Sequence, residues 1–189
     1  APINWAVLNG DEVSGVTIMD MAHELDAGDI IRQVSTPVSR TETAQELYDR
    51  LAQLGGELLV ETVTAIADGT AQRTPQDPAE VTLAPMLSRE LSPIDWTRTA
   101  AQIHDQVRGL LPWPVASTDL FGGDKVKIFT TIETEDKTGK EPGTILRADK
   151  AGIDVACGGG TVLRITELQA PGSRRMAAAD YFRGHSLEL

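Results

Sequence analysis

The chain has 189 residues, 41% of them hydrophobic and 24% charged, with a formal net charge of −11. That length suits one domain or two small ones, and no apolar run approaches the ~18 to 20 residues of a membrane-spanning helix. The single cysteine, Cys157, excludes an intrachain disulfide and supplies no metal cluster, which fits a reducing cytoplasm.

The start, Ala1-Pro2-Ile3-Asn4-Trp5, has neither an initiator Met nor the basic opening of a secretory signal, so the chain is expected to begin mid-protein or after processing. Residues 2–9 read as a short helix with Ile3, Val7 and Leu8 on one face, ended by Asn9-Gly10-Asp11. The β-branched run from Gly15 to Met19 predicts a strand. Met21 to Asp29 is polar and predicts a loop. Ile30 to Val38 predicts a second strand, closing at Pro37, so that the two cross around the loop. Thr43 and Glu46 form a capping box. The helix it opens carries Leu47, Leu51, Leu54, Leu58 and Ile66 at helical spacing and stops at Asp68-Gly69. Gly55-Gly56 inside it costs about 1 kcal/mol per residue and predicts a close contact or a kink.

Residues 70–92 lack periodicity and read as an extended connector. Thr99 to Leu111 predicts a helix with Ile103, Val107 and Leu110 inward, ended by Pro112-Trp113-Pro114. Short strands follow at 126–129, 143–146, 152–157 and 161–165, a pattern that suggests a small barrel. Met176 to Phe182 predicts a closing helix. Charge divides along the same line. Residues 1–96 hold five Lys/Arg against 16 Asp/Glu, a balance of −11, while residues 97–189 hold twelve of each. The overall acidity argues against a nucleic-acid partner, but the second half is free to present basic patches.

The loop Leu25-Asp26-Ala27-Gly28-Asp29 is the best local candidate for chemistry, because a carboxylate on a Gly-containing turn at a strand end can meet a ligand. The competing reading is a turn former through Asx hydrogen bonds. Glu24 and Asp29 flank it, but no ligand spacing supports a metal. His23 lies near Asp26 in sequence. His104, beside Asp105 on a helix, reads as a surface residue, and His185 stands apart from both. Gly158-Gly159-Gly160 has no helix N-terminus after it to hold an anion and reads as a hairpin turn. Cys157 ends an apolar strand and reads as a small buried residue. Gly172-Ser173-Arg174-Arg175 is a basic turn, either solvated or placed to grip phosphates.

Gly15-Val16-Thr17-Ile18-Met19 followed by Leu25-Asp26-Ala27-Gly28-Asp29 resembles the folate-dependent formyltransferases, which carry a Gly-Val-Thr strand and then a Leu-Asp-x-Gly signature. Leu87-Ser88-Arg89-Glu90 with Ile94-Asp95-Trp96 is similar to the linker of the branch that acts on methionyl-tRNA. Pro112-Trp113-Pro114, Pro142-Gly143-Thr144-Ile145 and Leu168-Gln169-Ala170-Pro171-Gly172 with Met176 continue the likeness in order to the tail. Ala22-His23-Glu24 and Met86 depart from that branch, which has Asp and Gly in the first place and Lys in the second.

The resemblance implies α/β followed by all-β architecture. Residues 1–84 would be the C-terminal part of a Rossmann-like formyltransferase domain, 85–112 a linker with a helix, and 113–189 an OB-like β-barrel that binds tRNA. It implies transfer of a formyl group from 10-formyltetrahydrofolate to the amino group of methionyl initiator tRNA, without a metal, by a cytoplasmic monomer. The family's active site is an Asn, a His and an Asp. Only the Asp maps here, onto Asp26, with Leu25 and Gly28 beside it on the folate. The Asn, the His and a Ser-Leu-Leu-Pro folate segment belong upstream of Ala1. Arg174, Arg175, Lys125 and Lys127 are the implied tRNA contacts. Two alternatives stay open: a formyltransferase acting on a nucleotide-linked amino sugar, and a non-enzymatic RNA-binding OB module.

Overall fold

In the computed structural model, which describes residues 1–183, the chain begins with α1 (Pro2–Leu8). Pro2 suits that first turn because its missing N–H would have no acceptor there. β1 (Val13–Met19) and β2 (Ile30–Pro37) then pair antiparallel, with Val16 opposite Val34. The two predicted strands therefore do enclose the loop that carries Asp26.

α2 (Ala44–Ala67) opens on the expected capping box, Thr43 accepting from the Glu46 N–H while the Glu46 carboxylate accepts from Thr43. It runs unbroken through both glycines. Gly55 is the close-contact position, since a Cβ there would lie 3.3 Å from Val16 Cγ1, whereas Gly56 faces open space. The buried stripe is Leu47, Leu51, Leu58, Thr62 and Ala65, and Ile66 is exposed. The spacing expectation for Ile66 is thus corrected: steps of four and three from Leu58 arrive at Thr62 and Ala65, and the next residue is rotated about 100° off that face.

The connector is extended as expected, and it doubles back: Thr74 bridges to Ile30 with backbone hydrogen bonds of 2.8 and 2.9 Å. α3 (Ala100–Gly109) has its own capping box between Thr99 and Gln102. Ile103, Val107 and Leu110 are fully buried, as predicted, and belong to one core with Ile128, Ile153, Leu163 and Ile165 of the sheet that follows. The helix of the expected linker thus packs against the C-terminal sheet.

That sheet contains β3 (Ala116–Thr118), β4 (Val126–Lys137), β5 (Ile145–Asp149), β6 (Gly152–Ala156), β7 (Thr161–Gln169) and β8 (Met176–Ala177), followed by α4 (Ala178–Arg183). The order is β3-β4-β7-β6-β5, all antiparallel, with β8 beside β7. Among the described residues β3 and β5 end this path without pairing to each other, so the sheet is not a closed barrel. β4 runs to Lys137, well past the predicted end at Phe129, with irregular register against β7. Met176 and Ala177 form a strand where a helix start was expected; pairing with Glu167 and Leu168 outweighs their helical preference.

Gly158–Gly160 is the β6–β7 turn, as read. A Cβ on Gly158 would come within 1.8 Å of the Thr97 carbonyl oxygen, and its N–H donates to the carbonyls of Trp96 and Arg98. This glycine lets the turn lie flat on the connector. No described helix is long and apolar enough to cross a membrane. His185 lies outside the described residues.

Candidate active site and basic surface

The acidic loop is tied down at its base and from the returning connector. At its base the Asp20 N–H donates to the Asp29 carbonyl at 3.0 Å. From the returning connector, Arg73 Nε donates to the Asp20 carboxylate at 2.5 Å, and Gln76 Nε2 reaches the carbonyls of Asp26 and Gly28, both at 2.8 Å. Gly28 is buried, and a Cβ there would sit 1.7 Å from the Asp20 carbonyl oxygen. Its requirement for glycine is a close backbone approach.

Asp26 sits at φ +56°, in the left-handed region, where Asp and Asn are enriched among non-glycine residues. Its side chain is exposed, and among the described residues its carboxylate has no hydrogen-bond partner. The Asx-turn reading would require that carboxylate to accept from the local backbone, and it does not. Leu25 beside it is 96% exposed. His23 and Glu24 are exposed and make no bond to Asp26. No group of three His, Cys, Asp or Glu among the described residues could hold a metal ion.

Of the four predicted basic contacts, Arg174 is exposed and, among the described residues, free of any ion pair. Arg175 is not free. Its guanidinium bonds the Glu167 carboxylate, lies 3.4 Å from Thr130 Oγ1, and stacks 4.6 Å from the centre of the Phe129 ring. Hydrogen bonds from Thr130 and then Arg175 hold the Glu167 carboxyl below its usual value. Lys125 and Lys127 are exposed, and register places Lys127 opposite Gln169, whose amide donates to the Ser173 carbonyl. Lys127 and the basic loop therefore share one end of the sheet. Cys157 is buried, which pushes its thiol up to about 11 and rules it out as a nucleophile near neutral pH.

Sequence reading placed His104 on the surface; it is 9% exposed. Its Nε2 lies 2.8 Å from the Arg40 carbonyl and its Nδ1 2.9 Å from Thr131 Oγ1. A carbonyl only accepts, so these partners assign the hydrogen to Nε2. One residue on, Asp105 accepts from Arg40 Nη1 at 2.9 Å and from Arg108 Nη2 at 2.7 Å. Arg108 also donates to the carbonyls of Ser39 and Glu42, and Arg40 bonds Glu133 on β4. This knot joins the β2–α2 loop to α3 and the C-terminal sheet. A cavity of about 590 Å³ opens beside it, walled by Thr43, Arg108, Phe129, Thr131 and Arg175.

Residues 1–63 match the formyl transferase family and residues 86–186 its C-terminal domain. A methionyl-tRNA formyltransferase of Acetivibrio thermocellus is 44% identical over 99% of this chain, which covers 60% of that protein. The chain thus spans about 60% of the length of the curated relatives it matches. HypX from Aquifex aeolicus, solved with tetrahydrofolic acid, superposes with a TM-score of 0.68 at 23% identity, over 95% of this chain and 32% of its own. An N-formyltransferase from Helicobacter canadensis, solved with folinic acid and dTDP-3-aminofucose, gives a TM-score of 0.68 at 21% identity, over 89% of this chain and 60% of its own. These two likenesses are of fold. The C-terminal profile alone spans more than half the residues and the N-terminal one precedes it in order, so the chain belongs to the formyltransferase family.

Proposed function

We propose that the protein carrying this chain transfers a formyl group from 10-formyltetrahydrofolate to the amino group of methionyl initiator tRNA in the cytoplasm, as a monomer. The observation that carries this reading is likeness to methionyl-tRNA formyltransferases at 40–44% identity across both halves of the chain, the C-terminal sheet included. Residues 1–84 complete the catalytic domain, 85–112 link it, and 113–189 serve as an OB-like platform for the tRNA.

Asp26 is the catalytic group in this chain. A backbone held by Gln76 presents its free carboxylate to solvent without burying a charge. In the reaction the amine nitrogen attacks the formyl carbon, the bond from that carbon to the folate nitrogen breaks, and a proton moves from the amine to the folate nitrogen. A carboxylate here orients an imidazole from the upstream part of the protein, favours its protonated form, and relays the amine proton. Exposed Leu25 offers the folate ring an apolar surface next to that acid.

Arg174 supplies a phosphate contact on the tRNA side. The test is turnover by the full-length protein with 10-formyltetrahydrofolate and either methionyl initiator tRNA or a nucleotide-linked amino sugar. Formylation of the tRNA alone is expected; formylation of the sugar alone overturns the substrate assignment. Arg174→Gln should reduce the salt dependence of tRNA binding by roughly 0.9 in the log–log slope, the value for one phosphate contact. Arg175→Gln should change it by less, because Glu167 already balances that charge.

A further inference from the structure

A hollow of about 450 Å³ opens where the connector meets the edge strand β3, within the ~300 to 1,000 Å³ of small-ligand pockets. Arg89, Lys125 and Lys127 line it, and no carboxylate does. Among the described residues none of these three cations has an ion pair, whereas Arg32, Arg50, Arg73, Arg147 and Arg164 are all paired. Val126 and Ile128 are fully buried, so strand alternation turns Lys125 and Lys127 together to the outside.

Trp113 forms another wall and is 50% exposed. The other two tryptophans have structural hydrogen bonds, Trp5 Nε1 to the Pro85 carbonyl and Trp96 Nε1 to Thr118 Oγ1. Trp113 has no such bond among the described residues. Val115, buried at the floor, sits at φ +70°, a conformation that a β-branched residue avoids. Backbone held in that region is concentrated at ligand sites. An exposed indole, three free cations and a strained floor thus converge on one concavity.

We propose that this hollow holds one unpaired nucleotide of single-stranded RNA, its base stacked on Trp113 and its phosphates held by Arg89, Lys125 and Lys127. The choice of RNA rests on the tRNA reading above. Stacking explains why the site includes an exposed indole, which an acidic peptide would leave unused.

A labelled single-stranded RNA hexamer, titrated with the full chain and followed by fluorescence anisotropy, tests this. A hairpin of the same composition and a poly-glutamate competitor serve as the other arms. The single strand should bind more tightly than the hairpin and resist the competitor. Trp113→Ala should weaken it roughly 5- to 150-fold, the range for one stacked base, and Trp113→Phe should recover most of that. Lys125→Gln with Lys127→Gln should flatten the salt slope by about 1.4 units, ~0.7 for each single-strand phosphate. Circular dichroism confirms that each exposed-site variant is folded. Equal binding of hairpin and single strand, displacement by poly-glutamate, or unchanged affinity in Trp113→Ala overturns the proposal. Turnover of methionyl-tRNA by the full-length protein is read separately, so failure of this proposal is distinguished from failure of the substrate reading it rests on.

Discussion

At the scale of single residues, Asp26 carries the sharpest expectation. Asn tolerates the left-handed region as Asp does, so Asp26→Asn removes charge while keeping the backbone of the loop. In the full-length protein kcat should fall by at least ~10², the range for lost acid–base support, with tRNA affinity and melting temperature nearly unchanged. Asp29→Asn should be mild, since Asp29 contributes its backbone carbonyl to the loop base. Near-native kcat in Asp26→Asn would make it a turn residue. The loop that carries Asp26 was legible, because a polar Gly-containing turn between two β-branched runs marks a strand connection, while the choice of Asp26 within it rests on the resemblance. His104 was not legible. Its burial depends on the Arg40 carbonyl and Thr131, respectively 64 and 27 residues away in sequence, and no local pattern announces such partners.

At the scale of elements, the connector behaves as a brace. Gln76 holds two loop carbonyls through one side-chain amide, so Gln76→Ala frees the loop while leaving its residues in place. Each bond contributes about 0.5–1.5 kcal/mol, and being near the surface these should sit at the low end. We expect faster amide exchange at residues 26–29 and a several-fold loss of kcat with a small change in melting temperature. Unaltered exchange in this loop would show that Arg73 and Thr74 suffice. Capping boxes made the starts of α2 and α3 readable, because Thr43 with Glu46 and Thr99 with Gln102 are local arrangements. The two shortest strands were not readable. β3 and β8 are two or three residues long and exist only because β4 and β7 offer them partners. Closure of the sheet into a barrel was over-read for a related reason: strand spacing counts strands but does not say whether the first and last meet.

At the scale of the whole molecule, the uneven charge foretold two chemically different halves, and Lys125, Lys127 and Arg174 lie in the neutral one, with Arg89 joining them from the acidic half. Acid should loosen the C-terminal half through Asp154. Burial pushes its carboxyl up, but hydrogen bonds from Arg164 and Arg147 outweigh that and hold it below the ordinary value. A carboxyl lowered by folding stabilises the native state above its unfolded pKa of about 3.9, and that contribution is lost as pH falls through the lower folded value. Asp154→Asn should therefore lower the melting temperature at pH 7 and shrink the difference between pH 7 and pH 3. Equal differences in both proteins would remove Asp154 from the acid response. Within these 189 residues the resemblance assigns a single catalytic group, so the chain alone should show no formyl transfer above buffer. Turnover by the purified chain would refute the reading that the family's Asn and His, one of them an oxyanion stabiliser whose loss costs ~10² to 10³ in rate, have no counterpart among these residues.

The knot of Arg40, Asp105 and Arg108 has a thermodynamic consequence. Arg108 and Asp105 are nearly inaccessible, at 4% and 6%, and their partners come from the loop ahead of α2. If the N-terminal half unfolded by itself, Asp105 and Arg108 would keep each other but lose Arg40 and the carbonyls of Ser39 and Glu42, leaving a buried pair short of hydrogen bonds. Melting should therefore be a single cooperative transition, superimposable by far-UV circular dichroism and by tryptophan fluorescence. Asp105→Asn removes the carboxylate partner of the buried Arg108 guanidinium, at a cost of about 3–5 kcal/mol for a broken buried pair, and should uncouple the two curves. Coincident curves in that variant would mean that apolar packing between α1 and α3 is what makes the halves melt as one.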